Sequence, residues 1–308
     1  AGKAVFINSD GVGTKTEFYE RAGKYEYAVN DFMAMNLDDA SKVGATAKVI
    51  SGVVETRGNI PFDRIQNHAA LIAGQPGYLG LVAIMEHEEV GNRLRGFNTD
   101  AATYNISGSV VSVIDELSLK YPPAPKPGDS VIAIQGSQNP RSNGITDKRR
   151  VMVELFGIDW HKSSVGKLFI EYLSAPSVIL YPLFTQLRSM GLATSFYHMS
   201  GGAYNGKLAK PLAEHDLFVR LNDLFPPDWR ELTLAGANFT SARAAYSKWP
   251  MGNDGFVTTP DPINTMGVIK GHQLKAKLIG QVESAVNGKT GLELVASNGE
   301  VVYFSGRD

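Results

Sequence analysis

The run Ser9-Asp10-Gly11-Val12-Gly13-Thr14-Lys15, entered directly from the apolar residues Val5-Phe6-Ile7, constrains this chain more than any other feature. An acid, two glycines, a hydroxyl and a lysine follow a strand at once. Glycines let backbone N–H groups approach phosphate oxygens, a lysine supplies a mobile point charge, and an aspartate can hold a divalent cation through oxygen. A glycine-rich turn between two strands would carry the same residue types, so the run needs support from elsewhere in the chain.

At 308 residues two domains of ordinary size are expected. Thirty basic residues against 31 acidic ones leave a formal net charge of −1, which gives no global field for nucleic acid or an anionic membrane and points to a small-molecule partner. Cysteine is absent, which removes disulfides, thiolate metal sites and cysteine nucleophiles together. No apolar run reaches the roughly 18–20 residues of a membrane helix, and no basic segment leads into an apolar signal core, so a cytoplasmic protein is expected. The chain enters its first strand almost at once after Ala1, which leaves room for a preceding segment.

Residues 5–7, 47–54, 78–85 and 104–114 are short, apolar and rich in β-branched side chains and read as strands; 30–43 and 63–73 repeat apolar residues three and four apart and read as helices. This alternation predicts a mixed α/β unit over 1–120. Residues 121–129 hold four prolines, which fix φ and remove backbone donors, and are expected to be a linker to a second unit over 130–308. That unit is expected to restart with a strand at 130–134, to carry helices at 147–155 and 177–190, a strand at 194–198 and a helix at 274–283. It should close with a hairpin of 291–296 and 301–304 around Asn298-Gly299.

Several phosphate motifs fail. The run Gly201-Gly202-Ala203-Tyr204-Asn205-Gly206-Lys207 has the spacing of a P-loop, but Leu208 stands where a hydroxyl must meet magnesium. Glu283 takes the place of the first glycine before Gly288-Lys289-Thr290, and His87-Glu88-Glu89 lacks a second histidine one turn on. Acids are more informative: Asp38 and Asp39 form either a solvated helix face or, with Asp10, oxygen ligands from separate elements; Glu86 and Glu89 could add a further acidic edge. The loop Gly136 to Gly144 leads into a helix with Lys148, Arg149 and Arg150, and reads equally as a polar loop or as an anion-binding helix N-terminus.

Taken in order, these pieces resemble the aminoimidazole ribonucleotide synthetase (phosphoribosylformylglycinamidine cyclo-ligase) family. Asp10-Gly11-Val12-Gly13-Thr14-Lys15 matches a family motif in full, and Ala34-Met35-Asn36-Leu37-Asp38-Asp39 matches another with Asp38 in place of Asn. Pro140-Arg141-Ser142-Asn143-Gly144 matches with Arg141 in place of His, and Ala175-Pro176 and His198-Met199-Ser200-Gly201-Gly202 follow at the expected places. The resemblance implies an N-terminal half whose strands build a barrel across a homodimer and a C-terminal α/β half packed on it. It further implies ATP and Mg²⁺ as cofactors, and conversion of formylglycinamidine ribonucleotide to aminoimidazole ribonucleotide by phosphorylation of an amide oxygen.

Carried residue by residue, the resemblance assigns Lys15, Asp10 and Asp39 to catalysis. ATP would lie on Asp10, Gly11, Gly13, Thr14, Lys15, Asp39 and Glu86. The substrate would meet Arg141, Ser142, Asn143, Gly144, Gly201 and Gly202, and Mg²⁺ would be held by Asp10, Asp39, Glu86 and Glu89. Members that rely on a reactive cysteine are disfavoured, because this chain has none. A thiamine-monophosphate-kinase-like enzyme and a non-catalytic nucleotide-binding protein are the alternatives.

Overall fold

A computed structural model describes residues 2–97, 103–136, 138–285 and 287–307. In chain order the elements are β1 (Lys3–Gly11), α1 (Lys15–Ala22), α2 (Ala28–Lys42), β2 (Thr46–Arg57), α3 (Phe62–Ala73), β3 (Val82–Glu89), β4 (Thr103–Asp115) and α4 (Glu116–Lys120). After the proline-rich segment come β5 (Ser130–Gln135), α5 (Ile145–Phe156), α6 (Ser164–Leu173), α7 (Tyr181–Ser189), β6 (Ser195–His198), a π-helix (Tyr204–Ala209), α8 (Lys210–Glu214) and β7 (Leu217–Leu221). The chain finishes with α9 (Trp229–Asn238), α10 (Ala242–Tyr246), β8 (Gly255–Thr259), α11 (Pro262–Gly271), β9 (Lys275–Ser284), β10 (Gly291–Val295) and β11 (Val301–Phe304). Among the described residues the result is a mixed α/β protein with two sheets.

The first sheet runs β1-β4-β2-β3, with β2 and β3 parallel and the other pairs antiparallel. Helix α2 packs on one face because Val29, Phe32, Met33, Leu37 and Ala40 repeat at helical spacing and are fully buried. Gly52 makes room for it: a Cβ there would stand 3.0 Å from the Phe32 ring. The opposite face is uncovered. Along it Val5, Ile7, Val111, Val82 and Ile84 are 38–69% exposed, and the register sets Ile7, Val111, Val49 and Val82 in one row across all four strands.

The second sheet runs β11-β10-β7-β9-β5-β8-β6 and is covered on both faces at β5, β8 and β6. Adjacent residues of β5 divide accordingly: Ile132 and Ile134 meet α7 and α11 through Leu183, Phe184 and Ile269. Val131 and Ala133 join Met152, Phe169 and Trp249 in the larger core. The hairpin expected around Asn298-Gly299 is present, with Gly299 at φ 85°.

Four expectations need correction. The helix expected over 274–283 is instead strand β9 from residue 275 on. A bulge between Val131 and Ile132 leaves Ile279 without a ladder partner there, so Ile279 is buried while Leu278 is half exposed. The broken alternation mimics a helical repeat. Gly280 belongs to the strand as well, since a Cβ there would lie 2.4 Å from the Arg220 carbonyl oxygen. Strand β1 continues through Gly11, so Asp10 pairs with Gly108 inside the sheet rather than standing in the turn. Helix α7 starts only at Tyr181, and Glu86 and Glu89 lie within β3 rather than after it.

Candidate functional site

Helix α2 carries Asp31, Asp38 and Asp39 seven and eight residues apart, which places them on one stripe. That stripe faces the second half of the chain. Asp31 is fully buried and accepts hydrogen bonds from Lys15 Nζ at 2.8 Å, Ser142 Oγ at 2.5 Å, and the hydroxyls of Tyr19 and Ser177. Burial alone would raise its pKa, but the Lys15 ammonium and the hydroxyls outweigh this and hold it low. Burial pulls Lys15 down in turn, with Asp31 opposing. Lys15 has no solvent exposure, so its ammonium is committed to Asp31 and not to a cavity.

Asp38 is equally buried. Its Oδ1 accepts from the backbone N–H groups of Leu180 and Tyr181 at 2.8 Å each, and its Oδ2 from Arg141 Nη2 at 3.1 Å. Burial pushes Asp38 up to about 7 against these donors. Arg141, at φ 49°, also donates to the carbonyls of Met199 and Val178 and approaches Asp254 Oδ1 at 3.5 Å. Residues 177–180 hold no regular element, and the Ser177 and Leu180 N–H groups and the Ser177 hydroxyl are turned onto α2. Asp39 accepts from His198 Nε2 at 2.8 Å and pairs with Lys42. Burial would raise Asp39, but His198 and Lys42 hold it well below the usual carboxylate range. His198 itself is pushed down to about 4 by burial and is neutral at pH 7.

The turn Val12-Gly13-Thr14 meets the start of α5. Thr14 Oγ1 and Thr146 Oγ1 are 2.9 Å apart, and a cavity of about 350 Å³ opens beside them, lined by Gly13, Thr14, Ser142, Gly144 and Thr146. Gly13 (φ 61°) has open space where a Cβ would stand, whereas at Gly144 (φ 65°) a Cβ would strike Trp249 Nε1 at 2.0 Å. The Gly13-Thr14 turn and the start of α5 therefore border one space, which Asp147 also lines; the α5 N-terminus is the end that suits an anion, whereas the Thr16 and Glu17 N–H groups of α1 are taken by the Gly13 and Thr14 carbonyls. Gly13 and Thr14 also line a neighbouring cavity of about 210 Å³ that holds Arg95 and Arg149.

The sequence-derived residues thus divide. Gly13, Thr14, Ser142 and Gly144 share one cavity; Asn143 is buried, its Nδ2 donating to the Ser200 carbonyl at 2.9 Å. Gly201 and Gly202 are exposed on the loop after β6. Asp10 is exposed on β1, and Glu86 is exposed on the opposite edge strand, three strand intervals or roughly 14 Å away. Glu89 lies farther along β3. Among the described residues no group of three or more His, Asp or Glu could hold a metal ion, so these four acids do not form a magnesium cage within one chain. Reasoning from sequence missed Asp31, Asp254 and His198 as participants. Asp31 could have been found as the third acid on the stripe of Asp38 and Asp39.

No protein-family model matches the chain. It is 25% identical over 302 residues to the phosphoribosylformylglycinamidine cyclo-ligase of Methanococcus maripaludis strain C5, covering 93% of this chain and 80% of that protein. Among solved structures, hydrogenase maturation protein HypE in complex with ATP superposes with a TM-score of 0.62 at 13% identity, covering 98% of this chain and 84% of the other. T. maritima PurL complexed with FGAR superposes with a TM-score of 0.60 at 13% identity, covering 98% of this chain and 44% of the other. Among the described residues no helix is long and apolar enough to cross a membrane. The resemblance read from the motifs therefore extends over nearly the whole chain, which is similar in sequence to the phosphoribosylformylglycinamidine cyclo-ligases and has the fold these two solved structures share.

Proposed function

We propose that this protein is an ATP-dependent enzyme of the cyclo-ligase type, which turns formylglycinamidine ribonucleotide into aminoimidazole ribonucleotide with release of ADP and phosphate. The observation that carries the reading is the convergence of the Gly13-Thr14 turn and the α5 N-terminus on one cavity, in a chain similar to cyclo-ligases over 93% of its length. The N–H groups at that cavity would cradle phosphate oxygens, with Arg149 nearby to follow the transferred charge. Ser142 and Gly144 would position the substrate, and Gly201 and Gly202 a second phosphate. Lys15 reaches a phosphate only by exchanging Asp31 for it. Phosphorylating the amide oxygen makes it a leaving group; a ring-forming amine then displaces phosphate, and holding both reacting ends together supplies much of the rate. Any magnesium drawn to Asp10 or Asp39 would take its other ligands from the nucleotide.

On this reading residues 1–120 form the nucleotide and dimer half, 121–129 the linker and 130–308 the substrate half. A homodimer is supported by the uncovered face of the first sheet, where a contiguous exposed apolar row is a candidate contact surface. The test is to incubate the protein with Mg-ATP and formylglycinamidine ribonucleotide and follow both products. Matched, substrate-dependent appearance of ADP and aminoimidazole ribonucleotide is expected; ATP binding without turnover would overturn the reading and leave a kinase-like relative or a non-catalytic nucleotide-binding protein.

A further inference from the structure

The loop that leads into α5 is backed by a buried charge that the proposed chemistry leaves unused. Lys148 stands one turn into α5 and has no solvent exposure. Its Nζ donates to the Asn143 carbonyl at 3.2 Å, lies 3.5 Å from Glu231 Oε1 of α9, and sits 3.6 Å from the centroid of the Trp249 ring. Glu231 is 1% exposed, and its Oε2 accepts from the Tyr172 hydroxyl of α6. Three helices and the segment before β8 thus converge on one ammonium.

Burying such a pair is costly, and uncharged residues of similar volume in its place are often neutral or stabilising. Stability therefore does not explain it. What the pair holds is the peptide joining Asn143 to Gly144. The Asn143 carbonyl meets Lys148, while Asn143 Nδ2 donates to the Ser200 carbonyl at 2.9 Å. Gly144, at φ 65°, is pressed against the same tryptophan, since a Cβ there would strike Trp249 Nε1 at 2.0 Å. Trp249 thus carries Lys148 on its ring face and Gly144 at its nitrogen edge. Gly144 borders the cavity at the Gly13-Thr14 turn, and the N–H groups of Ile145 and Thr146 that open α5 have no partner within the helix. Their direction follows from the peptide that Lys148 holds.

We propose that Lys148 is a positioning residue: its ammonium fixes the peptide between Asn143 and Gly144 and so aims the first N–H groups of α5 into the cavity that takes the nucleotide's phosphates. It touches neither ligand nor reacting atoms. The inference rests on the reading of that cavity as a phosphate site, whatever substrate accepts the phosphate. Burial pulls Lys148 down to about 8, with Glu231 and Asp147 opposing and Lys15 adding to the fall. Burial pushes Glu231 up, against Lys148 and with Asp254. The ammonium is therefore lost as the pH rises through about 8, and its hold on the carbonyl weakens.

The test compares the parent with the double variant Lys148→Met/Glu231→Gln, which removes both charges together and leaves a side-chain oxygen for the Tyr172 hydroxyl. Its unfolding midpoint in denaturant should stay close to the parent's. Hydrogen exchange read by mass spectrometry should rise about tenfold in the peptide covering 142–147 and stay unchanged over 150–156. Calorimetric titration with Mg-ATP at neutral pH should give an affinity about tenfold weaker than the parent's. The parent's affinity should fall as the pH rises through about 8, and the double variant should lack that limb, a difference that loss of packing alone would not produce. Should the double variant fail to fold, Glu231→Gln alone keeps Lys148 and should move the limb about one pH unit lower. Unchanged exchange over 142–147, parental affinity in the double variant, or a limb that is absent from the parent or unmoved by Glu231→Gln would overturn the proposal. A parent that binds no ATP would overturn the phosphate reading of the cavity, and exchange would then decide alone whether Lys148 holds the turn.

Discussion

Helix α2 displays two ways of handling charge away from water. Near its start and middle, Asp31 and Asp38 are surrounded by donors until no acceptor oxygen is left idle. Toward its end, Asp39 is satisfied but its surroundings are not: among the described residues His198 Nδ1 is buried without a hydrogen-bond partner, and Lys207 feels Asp39 and Asp10 but forms no ion pair with either. A completed network holds halves of a protein together, and an incomplete one invites a ligand. The same acidic stripe therefore does structural work at one end and leaves chemistry open at the other.

The comparison breaks most sharply at Asp31. Removing it in Asp31→Ala strands the Lys15 ammonium at zero exposure, and the expected loss is about 3–5 kcal/mol by denaturant unfolding. A loss under about 1 kcal/mol would mean that the completed network is not what joins the halves.

The open end should report itself through pH. His198 is neutral in the folded protein down to about 4, whereas an unfolded histidine takes up its proton near 6.5. Between these values the unfolded state binds more protons, so stability falls as the pH falls. Relative to His198→Gln, the parent should lose about 2 kcal/mol on going from pH 6.5 to pH 5. Parallel stability curves for the two proteins would remove His198 from the argument.

The smallest effect sharpens the contrast from outside. Arg150 and Glu154 form an ion pair at 3.0 Å on the surface of α5, with both side chains about half exposed. Arg150→Ala should cost at most about 0.5 kcal/mol in the same unfolding assay. A cost near that of Asp31→Ala would show that burial is not what separates the two classes.

Much of the scaffold was legible in local pattern. Helix α2 and strands β2 and β4 have clear periodicity, and the hairpin at Asn298-Gly299 follows from turn chemistry. Strand β9 was misread because one bulged residue, Ile279, shifts the alternation by a step. Of the site, the turn at Gly13 and Thr14 and the loop before α5 could be read, since small residues at helix starts have a local signature. The partnership of Asp38 with Arg141 could not. It joins residues 103 positions apart, and adjacent acids on a helix have the same sequence signature whether they face water or a buried guanidinium.

Asp31 and Asp38 sit seven residues apart, or roughly 10 Å along one rigid helical rod. The rod packs on the first sheet while its acids grip the loop before α5 and the segment before α7. A single helix thus belongs to one hydrophobic core and is tied by its acids to the half that holds the others. Parting the halves would strip the donors from Asp31 and Asp38 while both are buried, so melting should pass through one shared cooperative event rather than two.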